Sequence, residues 1–274
     1  TIRPSPMIST SESPQPSAPQ SVAIVAHGRI DVGPAVHRVR RVAEESGVRV
    51  VDEPEDAAVT VAVGGDGTIL RTLARLLGTR VPVIGVNFGR VGFLASIPPD
   101  ALERDLRRVF AGEYRVIELP TLEVTLNGGS HAAVNDVVVT SATLGRMVEL
   151  TYAVGGEDLG TVPCDGMICC TPSGSTAYNL SNGGPVLVRG LDAMAITFIA
   201  PHSLHARPLV AGRGSALMVR NETADVKVGV LVDGHRVADM GSGDEIAIEL
   251  GGERSLLATL PETTFFSRYR ETFA

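Results

Sequence analysis

The chain has 274 residues, of which 44% are hydrophobic, 20% charged and 4% aromatic, with no Trp and a net charge of −7. At about 150 residues per domain this length suggests two domains, and the apolar fraction excludes wholesale disorder. The acidic balance, with no basic run longer than Arg40-Arg41 or Arg107-Arg108, argues against nucleic acid as the main partner. Lys227 is the one lysine, against 23 arginines. It lies in Asp225-Val226-Lys227-Val228-Gly229, so the chain has no P-loop, whose glycines must be followed by a phosphate-binding lysine. The strand lysine and H-R-D loop of protein kinases are missing too.

Residues 1–20 are rich in Ser, Pro and Gln and lack an apolar core, which predicts a disordered tail and no signal peptide. Met7 is a candidate natural start, which would make residues 1–6 foreign to the protein. From residue 21 to 119, strand and helix signals alternate. Ser21–Ala26, Val59–Val63 and Val81–Val86 read as strands, and Gly33–Ser46, Thr68–Leu77 and Pro99–Phe110 as helices. Such alternation predicts a parallel, Rossmann-like sheet with crossover helices. After Leu119-Pro120 the pattern changes to short runs broken by turn residues. These are Leu122–Leu126, Ala133–Thr140, Val148–Val154, Met167–Cys170, Met194–Ile199, Ala216–Arg220, Val226–Val232, Glu245–Leu250 and Arg254–Leu260. They predict an all-β sandwich. Asp233-Gly234 reads as a hairpin turn. Thr263–Phe273 is amphipathic and reads as helical.

No apolar stretch approaches the roughly 18 residues of a membrane helix. Cys164, Cys169 and Cys170 fit neither a disulfide framework nor a zinc pattern, so a reducing cytoplasm is the simplest setting. His202-x-x-His205 lacks a third ligand nearby, so no protein-held metal is expected.

Two segments concentrate chemistry. Gly64-Gly65-Asp66-Gly67-Thr68 falls between a strand and a helix, at the carboxyl end of a parallel sheet where ligands bind. Its glycines and the helix N-terminus suit phosphate, and Asp66 suits proton transfer from a hydroxyl or a magnesium ion. A tight turn with a capping Asp or Thr is the plain alternative. Thr171–Pro185 is dominated by hydroxyls, amides and glycines, which suit ribose and phosphate oxygens, with Tyr178 able to stack on a base. A polar loop between strands is the plain alternative there.

Together these segments resemble the NAD kinase family. Pro82–Leu94, Asn135-Asp136, Pro201–Val210 and Leu256–Phe266 also look like that family, so the likeness spans roughly residues 21–270. The G-G-D-G-T motif is shared with diacylglycerol and sphingosine kinases and more loosely with phosphofructokinases, whereas Thr171–Pro185 is far more specific. The resemblance implies a phosphofructokinase-like α/β domain over 21–119 and a dinucleotide-binding β-sandwich over 120–255. It implies that 256–274 returns to the N-terminal domain.

The resemblance also implies roles. Asp66 would be the base toward the adenosine-ribose 2′-hydroxyl of NAD, with Gly64, Gly65, Gly67 and Thr68 around the phosphates. NAD would be held by Asp66, Gly67, Arg71, Asn135, Asp136, Arg146, Asp165, the run Thr176, Ala177, Tyr178, Asn179, Leu180 and Ser181, and His235. His235 stands where many members have Gln, and Asn182 where a small residue is usual. The donor would be ATP or polyphosphate with Mg²⁺ or another divalent cation, and the assembly a homodimer or homotetramer, with no nucleic acid or membrane partner. Without the resemblance, Asn135-Asp136 could be a simple turn and Arg71 part of a solvated face. Two other readings of the chain are a lipid kinase sharing the loop and a dinucleotide sensor without turnover.

Overall fold

The computed structural model describes residues 16–26, 28, 32–88, 92–126, 128–143 and 145–273. Strands β1 (Ser21–Ala26), β2 (Arg49–Val51), β3 (Val59–Gly64) and β4 (Val83–Asn87) run parallel in the order β2-β1-β3-β4. Between and after them come α1 (Gly33–Glu45), α2 (Asp66–Arg75) and α3 (Leu102–Phe110). Each helix buries one stripe: Val39 and Val42 of α1, Ile69 and Leu73 of α2, Leu102 and Leu106 of α3. The α1 and α3 stripes share one apolar cluster and the α2 stripe another, so the sheet is covered on both faces. That is why every residue of β3 is buried and its sequence is an unbroken apolar run.

The rest is antiparallel. In chain order follow β5 (Arg115–Leu126), β6 (Gly129–Ala133), β7 (Asp136–Ser141), β8 (Val148–Val154), β9 (Glu157–Cys164) and β10 (Gly166–Cys170). The short α4 (Tyr178–Ser181) leads to β11 (Ala193–Ile199), β12 (Leu209–Gly212), β13 (Leu217–Asn221), β14 (Val228–Val232), β15 (His235–Met240), β16 (Glu245–Thr259) and α5 (Phe265–Phe273). One six-stranded sheet has the order β12-β11-β10-β7-β14-β15. Its inner face packs through Val137, Met167, Ile196 and Val230 onto Leu122, Leu150, Val219 and Ile248 of β5, β8, β13 and β16. The α/β domain with a β-sandwich is therefore the architecture, as the strand–helix alternation and the later short runs imply.

The runs Glu245–Leu250 and Arg254–Leu260 are one strand, β16, with an irregular register between Leu250 and Arg254. The glycine pair between them makes a bulge within a continuous strand rather than a turn. Through β16 the parallel strands continue into the antiparallel strands β13, β8 and β9 as one ten-stranded sheet, because Leu257 pairs in parallel with Val83 while Ile248 pairs antiparallel with Leu217. β5 also runs unbroken through Leu119-Pro120, paired with β16. Strands β6, β9 and β12 are mostly exposed, so they carry little apolar alternation in sequence.

The expected N-terminal tail falls mainly on residues 1–15, outside the described residues, as do residues 89–91 of Pro82–Leu94. Within the described part, Pro19 is buried and the Gln20 carbonyl accepts the Arg49 N–H at 3.1 Å.

Candidate active site

The motif at 64–68 is the end of β3 and the start of α2. Gly64 closes the strand, Gly65 is the helix N-cap, and Asp66 is the first helical residue. No side chain caps this helix, so its N-terminal dipole faces the carboxyl edge of the sheet. Gly67 is exposed, and a Cβ there would meet within 4 Å only the Arg71 Nη1, at 3.8 Å. Thr68 is buried, and exposed Arg71 donates to its hydroxyl at 3.4 Å.

The Asp66 carboxylate accepts three consecutive backbone N–H groups: Phe93 at 2.7 Å, Leu94 at 3.2 Å and Ala95 at 3.4 Å. The approach is close. A Cβ on Gly92 would lie 2.3 Å from the carboxylate atoms, so any other residue there would push the carboxylate aside. The carbonyls of this stretch face two arginines that sequence reasoning did not single out. Arg189, in the loop before β11, donates to the Phe93 carbonyl, and Arg268 of α5 donates to the Ala95 carbonyl at 2.7 Å. Burial brings the Arg189 guanidinium down to about 10. The Arg268 cation acts in the same direction and the Asp66 carboxylate opposes both.

Next to this lies a cavity of ≈ 390 Å³ where α2 meets the β-sandwich, lined by Leu70, Asn135, Asp136, Ala177, Tyr178 and Asp233 among others. The two motifs are thus brought to one place. Thr171 ties the second motif to the Asn135-Asp136 segment, its N–H donating to the Asn135 carbonyl at 2.9 Å and its hydroxyl to the Val134 carbonyl at 2.7 Å. Among the described residues the buried Asn135 Oδ1 has no hydrogen-bond partner. An orphaned acceptor at the edge of a cavity suits a ligand donor.

Asp136 is buried, and burial together with the Asp233 charge pushes its carboxyl up to about 7. Asp233 holds the loop before β7 by accepting the N–H groups of Val134 (2.9 Å), Asn135 (2.7 Å) and Asp136 (3.1 Å). Burial raises its carboxyl also, against those three bonds. It does sit at the β14–β15 hairpin, in a left-handed conformation at φ 47. The hairpin signal was legible; the reach of its carboxylate to residues a hundred positions away was not.

The other expected residues separate. Tyr178 is exposed, at the start of α4, and Thr176 and Leu180 are half-buried beside it. Ser181 is exposed. Asn179 departs from the expectation. It is fully buried, its amide donating to the Ser175 and Pro185 carbonyls and its oxygen accepting from Thr197, so it braces the loop from inside rather than facing the cavity. Asp165 has an exposed side chain, while its carbonyl accepts from Thr140 at the cavity wall. Arg146 is exposed in the loop between β7 and β8 and does not line the cavity. His235 is exposed, its Nδ1 3.2 Å from the Asp233 carbonyl. Among the described residues no three His, Cys, Asp or Glu side chains cluster as a metal site, and no helix is long and apolar enough to cross a membrane.

Comparison with known proteins matches both parts of the chain. Residues 22–114 match the ATP-NAD kinase N-terminal domain, and residues 134–259 the ATP-NAD kinase C-terminal domain. An NAD kinase of Heliobacterium modesticaldum is 36% identical over 247 residues, covering 88% of this chain and 87% of that protein. One from Geobacter sulfurreducens is 35% identical over 240 residues, covering 85% and 84%. Among solved structures, an NAD kinase from Archaeoglobus fulgidus in complex with ATP has a TM-score of 0.77 at 27% identity, covering 92% of this chain and 97% of that one. Yeast NADH kinase complexed with NADH has a TM-score of 0.80 at 23% identity, over 93% and 87%, a likeness of fold. The chain belongs to the NAD kinase family.

Proposed function

We propose that the chain transfers the terminal phosphoryl group of ATP to the 2′-hydroxyl of the adenosine ribose of NAD, giving NADP. The observation that carries this is the placement of Asp66. It is an acidic side chain at an uncapped helix N-terminus, fixed by three amides, beside a cavity walled by the Asn135-Asp136 and Tyr178 segments. Asp66 accepts the hydroxyl proton as the oxygen attacks phosphorus, a role worth about 10² to 10⁴ in rate. Gly64, Gly65, Gly67 and Thr68 offer backbone and a helix dipole to the donor phosphates. The Asn135 Oδ1 accepts from a ribose or base donor, and Tyr178 covers the nucleoside.

Phosphoryl transfer is mainly positioning and charge neutralisation. With no lysine at the site, arginines and backbone amides share the protein's part. Mg²⁺ carried on the donor phosphates would neutralise part of their charge, with Asp66, at the N-terminus of α2, the carboxylate beside it. Polyphosphate as donor would need the same amides and arginines without a base contact.

The separate apolar clusters of the two halves support a division into 21–119 and 120–255, with 256–274 returning to the first. Three buried, unpaired thiols support a reducing, cytoplasmic setting. Exposed Leu191, Leu209 and Val210 on and beside the β11–β12 edge support a homo-oligomer built through the sandwich. The deciding assay mixes protein, NAD, ATP and Mg²⁺ and measures NADP with an NADP-specific dehydrogenase. NAD binding without NADP would overturn the reading in favour of a sensor.

A further inference from the structure

The stretch Phe93–Ala95 is charged on both sides. Its N–H groups point at the Asp66 carboxylate, and its carbonyls at Arg189 and Arg268. One peptide group serves both. The Phe93 carbonyl takes the Arg189 guanidinium, and the N–H of the same peptide unit, on Leu94, donates to Asp66. A cation at the oxygen and an anion at the hydrogen polarise one amide in the same sense, so each bond strengthens the other. Among the described residues neither arginine forms a direct ion pair with Asp66, so the coupling runs through the backbone.

We propose that Arg189 and Arg268 are positioning residues for Asp66, acting through the Phe93–Ala95 backbone. Three distant pieces of chain then converge to aim one carboxylate. Arg189 comes from the loop between α4 and β11, Arg268 from α5, and the Phe93 ring sits against Phe265 and Phe273 of that helix at 6.2 and 5.7 Å. Packing alone does not explain two guanidiniums here. The arrangement is costly, because the Arg268 cation disfavours the buried Arg189 cation, and among the described residues the buried Arg268 Nε has no hydrogen-bond partner. What the arginines supply is a fixed fork on a carbonyl, which sets the plane of the peptide that holds the base. Three amides still leave the carboxylate acceptor capacity for a substrate hydroxyl.

The proposal rests on Asp66 being the base, and one set of variants separates the two claims. ATP-dependent NADP formation is measured for Arg189→Met, Arg189→Lys, Arg268→Gln, Asp66→Asn and the double variant Asp66→Asn/Arg189→Met. Arg189→Met should lower kcat about 10- to 100-fold, as a misaimed catalytic group does, with the KM values for NAD and ATP within about threefold. Arg189→Lys should regain part of kcat, and Arg268→Gln should show a smaller loss of the same kind. On the Asp66→Asn background, Arg189→Met should add less than about twofold, because the group it aims is already gone. A loss that multiplies fully in the double variant, or one carried by KM, overturns the proposal. If Arg189→Met fails to fold by thermal denaturation, unchanged kcat in both Arg189→Lys and Arg268→Gln overturns it. Near-normal turnover of Asp66→Asn removes the base reading itself, and the proposal with it.

Discussion

Two carboxylates in this molecule do the same thing to the backbone with different results. Asp66 accepts the N–H groups of Phe93, Leu94 and Ala95, and Asp233 those of Val134, Asn135 and Asp136. Each gathers three consecutive amides of a distant loop. Asp66 does so from the first turn of a helix, beside an exposed glycine and two arginines. Asp233 does so from a hairpin, against a second carboxyl on Asp136 and with burial raising its pKa. Under the proposed function, the difference separates a carboxylate held ready for chemistry from one that holds a binding loop in shape. Geometry of the clamp alone does not reveal which is which; the surroundings do.

The largest break in the comparison comes from removing each charge. Asp66→Asn should cut kcat by about 10² to 10⁴ while leaving NAD binding close to normal and the fold intact, with stability lowered by about 1–3 kcal/mol because the amide NH2 accepts no N–H bond. An amide still accepts N–H bonds through its oxygen but takes up no proton. Titration calorimetry with NAD beside the NADP assay checks this. Wild-type turnover in the variant would strip Asp66 of its role. Gly92→Ala sharpens the same point without touching the base. The new Cβ would sit 2.3 Å from the Asp66 carboxylate, forcing it off its aim, and a misplacement near 1 Å costs about 10²-fold. A steady-state assay reads the loss; unaffected kcat would mean that the loop yields freely.

Asp233→Ala should instead act on stability. Leaving buried N–H groups unpaired costs about 1–3 kcal/mol for each that finds no water. The expected result is a lower midpoint in urea denaturation and a raised KM for NAD, with kcat changed less than in Asp66→Asn. A kcat loss as deep as that of Asp66→Asn would erase the distinction between the two clamps.

How much of this is readable in sequence follows from how local each signal is. The helix α2 and its motif are contiguous, and a buried parallel strand feeding a glycine cluster announces itself. The Gly-rich segment at 171–185 is likewise one run. Asp233 gave only a turn signal, because its amide partners lie about a hundred residues earlier. Arg189 and Arg268 gave none, since an arginine in a loop or on a short terminal helix looks like solvated surface. Asn179 shows the opposite case. Its neighbours Tyr178 and Leu180 are exposed and half-buried, but a helical turn points it inward, onto Thr197. The bulge in β16 hid a single strand because the Gly251-Gly252 pair is also what a turn requires.

Asp136 tests the buried side of the comparison by pH. Its folded value, about 7, lies above the ordinary carboxyl value of 3.8. The fold therefore prefers the protonated form. Its penalty is absent below about pH 4, grows as pH rises, and is complete above about pH 7. Asp136→Asn should remove it, so the variant should gain stability relative to wild type between pH 5 and pH 8, by at most about 4 kcal/mol. Urea denaturation at the two pH values checks the sign. Equal differences at both would show that the carboxyl titrates normally.

The smallest effect is expected at His235, and it bears on what the second clamp is for. The imidazole is exposed and its Nδ1 lies 3.2 Å from the Asp233 carbonyl. The Asp233 carboxylate, not the ring, carries the bonds to the binding loop. If holding that loop is the hairpin's contribution, His235→Ala should leave KM for NAD within about threefold and the urea midpoint nearly unchanged, since exposed substitutions rarely exceed about 0.5 kcal/mol. A tenfold rise in KM would place the ring on the nucleotide. The hairpin would then be a direct contact as well as a clamp, and the contrast with Asp66 would narrow to the proton alone.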